Sequence, residues 1–477
     1  MIKNFKWVVL VSLTFIACTN DDTTTTGEVP VTAGTADFSK YVALGDSFAA
    51  GYSDGALFKK GQENSYPNLL AQQFAAAGGG VFTTPFMAAD NVGGFSSGGV
   101  QVVPQRLYLE TSNNTPTLVP GVSANTLTER LTGTFNNMGI PGAKSFHLLF
   151  NGYAPLNPYF KRMASSTTAT VLGDALAQNP TFFSLWIGGN DALGYATNGG
   201  VPTSQDAVNG NDLTPAANFS AAYNALATQL SANGRKGVVA NLPYVTALPY
   251  FTAVPYNPVP LNAATATQLN SGYAQYNGGL ALAQNAGLIT AAERTRRTIN
   301  FAAGQNAVVM VDSYLTNLSA LGLPSLRQAT SADLLVLPSR SIIGTTVGGN
   351  PAQVNGVSVP LEDKWVLSSD EVAEVKAATD AYNLVIQAAA TTNNLAFVDA
   401  KSVMDLLSTT GINFNTYNMT STYVTGGSFS LDGVHPSARG YALIANLFID
   451  AINAKYGSTL RKKDGRDFEI LYPKVIN

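Results

Sequence analysis

Apolar and polar residues are distributed along this chain in blocks. Predominantly apolar runs at 41–44, 182–187, 237–242, 307–311 and 395–398 each stop at a glycine, a proline or an aspartate. Short unbroken runs of this kind predict strands buried on both faces, as in a parallel sheet. Between them the spacing becomes helical. Residues 67–77 read as an amphipathic helix closed by the glycines at 78–80. Thr214 at the N-cap and Pro215 at the first helical position open a helix to about residue 230. Ser368 and Glu371 have the spacing of a capping box, heading a helix to about residue 390, and a closing helix is predicted over 438–454. A further strand is predicted at 106–109, and 137–143 reads as a turn-rich element leading into a helix through residue 149. Strands alternating with helices predict an α/β fold, with a central parallel sheet covered on both faces.

Three stretches break this rhythm. Residues near 80–130 are rich in Gly, Ser, Thr and Asn, those near 250–300 carry several prolines and then a helical pattern, and 315–366 suggest a small β excursion. They read as insertions on one domain spanning 37–460, followed by a C-terminal tail at 461–477. Length alone would allow about two to four domains. The sequence shows no internal repeat.

Composition narrows the class. With 477 residues, 45% hydrophobic and 12% charged, the chain can bury a real core and does not read as disordered. A net charge of −3 gives no basic face for a nucleic acid. One cysteine, Cys18, excludes an internal disulfide and a zinc site built on cysteine pairs. Lys3 and Lys6 precede an apolar stretch at 7–17 that has signal-peptide length and is short for a bilayer span. Residues 15–18, ending in Cys18, resemble the lipobox of bacterial lipoproteins. That resemblance implies a signal peptide at 1–17, acylation of Cys18 and a flexible tether at 18–36, rich in Thr, Gly and Pro. Asp21 and Asp22 resemble a surface-export signal, and fit a plain linker equally well. The expected location is the bacterial cell envelope, lipid-anchored at the outer membrane and either periplasmic or surface-exposed.

Candidate chemistry begins from the two histidines, since imidazole is the usual base near neutral pH. His147 lies in an apolar helical stretch and reads as a packed or capping residue. His435 lies on a Gly/Pro loop with Asp432 three residues before it, a spacing at which the carboxylate can turn back onto Nδ1. Ser47 stands just past the end of the first apolar run, where active sites of open α/β sheets lie. Its surroundings are not the G-x-S-x-G elbow, because residue 49 is alanine. Asn190 follows the 182–187 run and can offer its amide to a developing oxyanion, although Gly-Asn-Asp is also an ordinary turn.

Taken together, these segments resemble the SGNH hydrolases, the GDSL esterase/lipase family. Gly45-Asp46-Ser47-Phe48 is similar to the nucleophile block, with Phe48 where the family name has leucine. Residues 137–143 resemble the second block, Gly188-Gly189-Asn190-Asp191 the third, and Asp432-Gly433-Val434-His435-Pro436 the last. The resemblance implies a flavodoxin-like three-layer fold with a Ser47, His435 and Asp432 triad. It implies an oxyanion hole from the N–H groups of Ser47 and Gly142 (Gly139 being the second choice) and the Asn190 amide. Asp46 and Asp191 would then be structural, bonding their own loops. The implied reaction is carboxylic ester hydrolysis without metal or organic cofactor. Lipid esters and acylated glycans are both candidate substrates, the membrane being met through the N-terminal lipid. A transferase or polysaccharide deacetylase using the same residues, and an inactive glycan-binding lipoprotein, are the rival readings. The aromatic segments at 82–87 and 250–256 could line an acyl site or simply pack on the core.

Overall fold

Five strands form one sheet, in the order β2-β1-β3-β4-β5: β1 (Tyr41–Gly45), β2 (Asn137–Gly139), β3 (Phe182–Trp186), β4 (Lys236–Ala240) and β5 (Ala396–Val398). Every neighbouring pair is parallel. The computed structural model describes residues 30–203 and 210–476, so the signal peptide expected at 1–17, Cys18 and most of the tether expected at 18–36 lie outside the described residues. The 2-1-3-4-5 order is flavodoxin-like and reverses between β1 and β3, which is where such sheets place ligands, beyond the strands' carboxyl ends. In register Gly45 lies opposite Gly139 on one side and Trp186 on the other, so these three strands end level.

The helices include α1 (Ser47–Ala50), α2 (Tyr66–Ala75), α3 (Asn190–Thr197), α4 (Ala216–Ser231), α5 (Ala263–Asn285), α6 (Ser369–Thr392), α7 (Ala400–Ser408) and α8 (Ala438–Tyr456). α8 packs on α2 and on β5, and α4 packs on α6, so that helices cover the sheet in three layers. Their ends follow the predicted chemistry. Ser368 accepts from the Glu371 N–H while the Glu371 carboxylate takes the Ser368 N–H at 2.7 Å, the reciprocal capping box. Ser437 caps α8 at the Gly440 N–H, and Gly457 ends it at φ 66°.

Three predictions need correction. The 307–311 run is not in the main sheet: Val309–Val311 pairs antiparallel with Leu326–Gln328 inside a second core formed by residues 254–366. A strand buried in a satellite core has the same apolar signature as one in the sheet. The fifth sheet strand is instead Asn137–Gly139, read from sequence as a turn, because three residues at a sheet edge carry almost no pattern. The cap of α4 is Pro215, one residue later than predicted. The strand expected at 106–109 is half of a hairpin, Leu107–Glu110 with Thr115–Leu118, in the first insertion.

Buried cations hold the insertions and tail in place. Arg327 takes Asp333 bidentately at 2.7 Å and also bonds Asp312, while Asp333 accepts the Ser369 N–H at the start of α6. Arg106 donates to the Asn91, Pro473 and Lys474 carbonyls, fastening the C-terminal tail to the first insertion.

Candidate active site

The Ser47 side is built by β1 and the short turn after it. Gly45 is packed so closely on β3 that a Cβ would lie 2.5 Å from the Trp186 carbonyl oxygen. Asp46 caps α1 by accepting the Phe48 N–H at 3.0 Å, which sets Ser47 as the first helical residue. Gly51 ends the turn at φ 87°, where a side chain would also strike Gln62. Ser47 is buried, and its Oγ lies 2.8 Å from His435 Nε2.

His435 sits on the loop that leads into α8. Its Nδ1 lies 2.8 Å from Asp432 Oδ2. Asp432 also accepts the N–H groups of Gly55, Val434 and His435, each at 2.8 Å, and the Ser430 hydroxyl at 3.1 Å. Burial pushes this carboxyl up, but the His435 charge and the convergent donors outweigh it and hold the group down at about 2. The loop is clamped from the other side of the cleft. The Asp54 N–H donates to Ser430 Oγ and its Oδ1 accepts the Leu431 N–H, both at 2.9 Å. The Tyr52 ring lies 4.6 Å from the imidazole and the Phe48 ring 5.5 Å, so the ring plane is held by packing as well as by hydrogen bonds.

The loops after β2 and β3 close the third side. Asn190 Nδ2 donates to the Ala143 carbonyl at 3.0 Å with one of its two hydrogens. Asp191 is fully buried and takes both the N–H and the hydroxyl of Ser145 at 2.8 Å. It therefore ties its loop to the neighbouring one instead of bonding within its own. Burial pushes its carboxyl up to about 6, with the Ser145 donors opposing. Gly142 is exposed, with φ 79° and open space where a Cβ would stand, and no hydrogen bond among the described residues uses its N–H. The Gly139 N–H, by contrast, is bonded to Asn137 Oδ1 at 3.0 Å, and a Cβ there would clash with Ala50.

His147 lies apart from this cluster. Its Nδ1 accepts the Lys144 N–H at 3.0 Å and its ring stacks on Tyr153, a capping and packing role. The aromatic segments at 82–87 and 250–256 also pack: Phe82 stacks on Tyr41, Met87 joins a small core with Phe95, Phe251 is buried and Val254 enters the second core. The cleft around Ser47 and Asn190 is lined instead by Phe48, Trp186, Leu193, Leu242, Pro243 and Leu248. Sequence reading missed these because apolar residues at strand ends look like core. Their position just after β1, β3 and β4 is the signal that could have found them.

A serine hydroxyl bonded to an imidazole that is bonded to a carboxylate can be deprotonated as it attacks a carbonyl. Free N–H groups beside it can meet the negative charge that develops. Among curated proteins none matches the chain. In fold it is similar to LAE5, an alpha/beta hydrolase from the metagenome of Lake Arreo, Spain, at 10% identity, covering 88% of this chain and 96% of that one with a TM-score of 0.35. It is similar to the acetylxylan esterase Axe2 from Geobacillus stearothermophilus at 11% identity, covering 90% and 100% with a TM-score of 0.35. It is likewise similar to an extracellular lipase from Streptomyces rimosus at 15% identity, covering 87% and 98% with a TM-score of 0.30. The family model for GDSL-like lipases and acylhydrolases matches residues 41–317, which hold Ser47, Gly142 and Asn190 but not the His435 loop. Matched over more than half its length, the chain belongs to the GDSL-like lipase/acylhydrolase family.

Proposed function

We propose that this hydrolase cleaves carboxylic esters through an acyl-enzyme on Ser47. The single observation that carries the reading is the continuous line from Ser47 Oγ to His435 Nε2 and from His435 Nδ1 to Asp432 Oδ2, each step 2.8 Å. His435 takes the Ser47 proton as Oγ attacks the carbonyl carbon. Asp432 holds the imidazole in the tautomer that leaves Nε2 free to accept, and stabilises the imidazolium once it forms. The oxyanion is met by the N–H groups of Ser47 and Gly142 and by the second Asn190 hydrogen. The proton then passes from His435 to the departing alcohol, and water activated by the same imidazole releases the acid. An alcohol in place of water would make the same site a transferase.

The location belongs to this reading as well. The segment at 1–18 supports a lipid anchor on Cys18 and a place on the bacterial envelope, and no helix among the described residues is long and apolar enough to cross a membrane. A fluorophosphonate probe tests the chemistry. It should label the wild type and fail to label Ser47→Ala, and Asn190→Ala should lower kcat by about 10²–10³ with KM little changed. Absence of labelling in folded wild-type protein would favour the non-catalytic glycan-binding alternative.

A further inference from the structure

The chain turns sharply just after β2, at Ile140–Ala143. The Ala143 N–H donates to the Ile140 carbonyl at 3.0 Å, Pro141 fills the first central position, and Gly142 fills the second at φ 79°. These are the marks of a type II turn. A type I turn joins the same two ends, and the two forms differ by a rotation of about 180° of the central peptide, here Pro141–Gly142. Both ends are fastened independently of that peptide. The Ile140 N–H donates to the Gly45 carbonyl at 3.0 Å, and the Ala143 carbonyl accepts from Asn190 Nδ2 at 3.0 Å. Glycine takes either sign of φ with little penalty, so residue 142 does not itself choose between the forms.

Asn157 makes the choice. It is buried, and its Nδ2 donates to the Pro141 carbonyl and to the Tyr153 hydroxyl, both at 2.9 Å. Its Oδ1 accepts the N–H groups of Tyr159 and Phe160 at 2.9 and 3.1 Å, capping the short helix Pro158–Lys161. Both amide hydrogens and both lone pairs are thus used, which leaves the side chain no freedom to turn. In a trans peptide the carbonyl and the following N–H point in opposite directions. With the Pro141 carbonyl held on Asn157, the Gly142 N–H faces away from Asn157, and no hydrogen bond among the described residues uses it. Turned over, the same peptide would send that N–H toward Asn157 and put a carbonyl oxygen in its place, which repels a developing oxyanion.

We propose that Asn157 is a positioning residue for the oxyanion hole, holding the Pro141–Gly142 peptide in the orientation that offers the Gly142 N–H to the substrate. The proposal rests on the Ser47 and Gly142 reading above, and its test separates the two. Asn157→Ser and Asn157→Asp each keep an oxygen for the helix cap and lose the amide donor. The serine is neutral and too short to reach Pro141, whereas the carboxylate only accepts and draws the Gly142 N–H over to itself. On a short p-nitrophenyl ester kcat should fall by about tenfold or more in Asn157→Ser and about 10²-fold in Asn157→Asp, with KM within about twofold. Gly142→Ala places its Cβ in open space but disfavours φ 79°, so it should lower kcat as well. In the double variant with Asn157→Asp the two losses should not add, since both turn the same peptide. Should Asn157→Asp fail to fold, Asn157→Ser with Gly142→Ala completes the same cycle. Crystal structures read the peptide without catalysis: the Pro141 carbonyl should lie on Asn157 in wild type, and the peptide should be turned over in Asn157→Asp. A turned peptide in a protein whose wild type a fluorophosphonate fails to label would sink the Ser47 reading while upholding the hold of Asn157 on the turn. Losses that add in the double variant, a rise in KM with kcat unchanged, or an unturned peptide in Asn157→Asp would overturn the proposal.

Discussion

Aspartates around the site are shifted in opposite directions, and the balance of burial against nearby charge and donors decides which way. Asp46 and Asp54 are each pushed up to about 7 by burial; Asp54 keeps one carboxylate oxygen buried without a partner among the described residues. Asp432 is only partly buried, and the His435 charge and its donors hold it at about 2. A folded-state value below the unfolded 3.8 means that Asp432 contributes stability above about pH 4, lost as pH falls toward 2. Asp432→Asn should therefore do two things. It should lower kcat on a short ester by about 10³–10⁴, because the amide favours the wrong imidazole tautomer. It should also melt below wild type near neutral pH, with the difference shrinking as the pH is taken from about 5 down to about 2. A gap in melting temperature that stays constant across that range would mean that Asp432 is not held ionised by this network.

At the level of elements, the site is an agreement between loops that leave the sheet side by side. Asp191 fastens the loop after β3 to the loop after β2 through Ser145, and Asn190 adds a bond to Ala143. The proposed oxyanion donors on those two loops keep their spacing only while these bonds hold. Asp191→Ala should lower kcat by about 10²-fold with KM within about twofold, since a small misplacement of donors is felt in the transition state and little in substrate binding. A rise in KM with kcat unchanged would contradict this. The same elements explain what could be read from sequence. Residues 41–47, 188–191 and 432–435 were legible because a strand end, a glycine turn and a polar side chain fall together in a short span. Asn137–Gly139 was not, being an edge strand of three residues that owes its conformation to β1. The strand at 309–311 carries no sequence mark of which sheet it joins, because burial leaves the same apolar trace in either core. Phe48, Trp186 and Leu248 were hidden for a related reason: a side chain facing a cleft has the same chemistry as one facing another helix.

Over the whole molecule, the loop that carries Asp432 and His435 is supported by segments distant in sequence. Gly55 holds Asp432, the Leu107 N–H donates to the Asp54 carbonyl at 2.7 Å, and Arg106 beside it holds the tail at Pro473 and Lys474. The tail is thus packed structure: the Tyr472 ring meets Phe58 edge-on at 5.1 Å, and its hydroxyl accepts from Asn64 Nδ2 at 2.8 Å. Both rings are almost wholly enclosed, at 4% and 0% exposure, so deleting the Tyr472 ring leaves a cavity that the surroundings cannot readily fill. Tyr472→Ala should cost about 3 kcal/mol or more of stability. The tail reaches the site through Arg106, Leu107 and Asp54 and through Ala438 and Arg439 at the start of α8, and among the described residues it makes no hydrogen bond to Ser47, Asp432 or His435, so turnover at room temperature should stay close to wild type. The loss should instead show as an earlier urea midpoint and faster inactivation on warming, with kcat and unfolding falling together as temperature rises. A Tyr472→Ala enzyme that unfolds like wild type but turns over slowly would mean that the tail acts on the His435 loop directly, and that its packing is not what holds Asp432 and His435 in line.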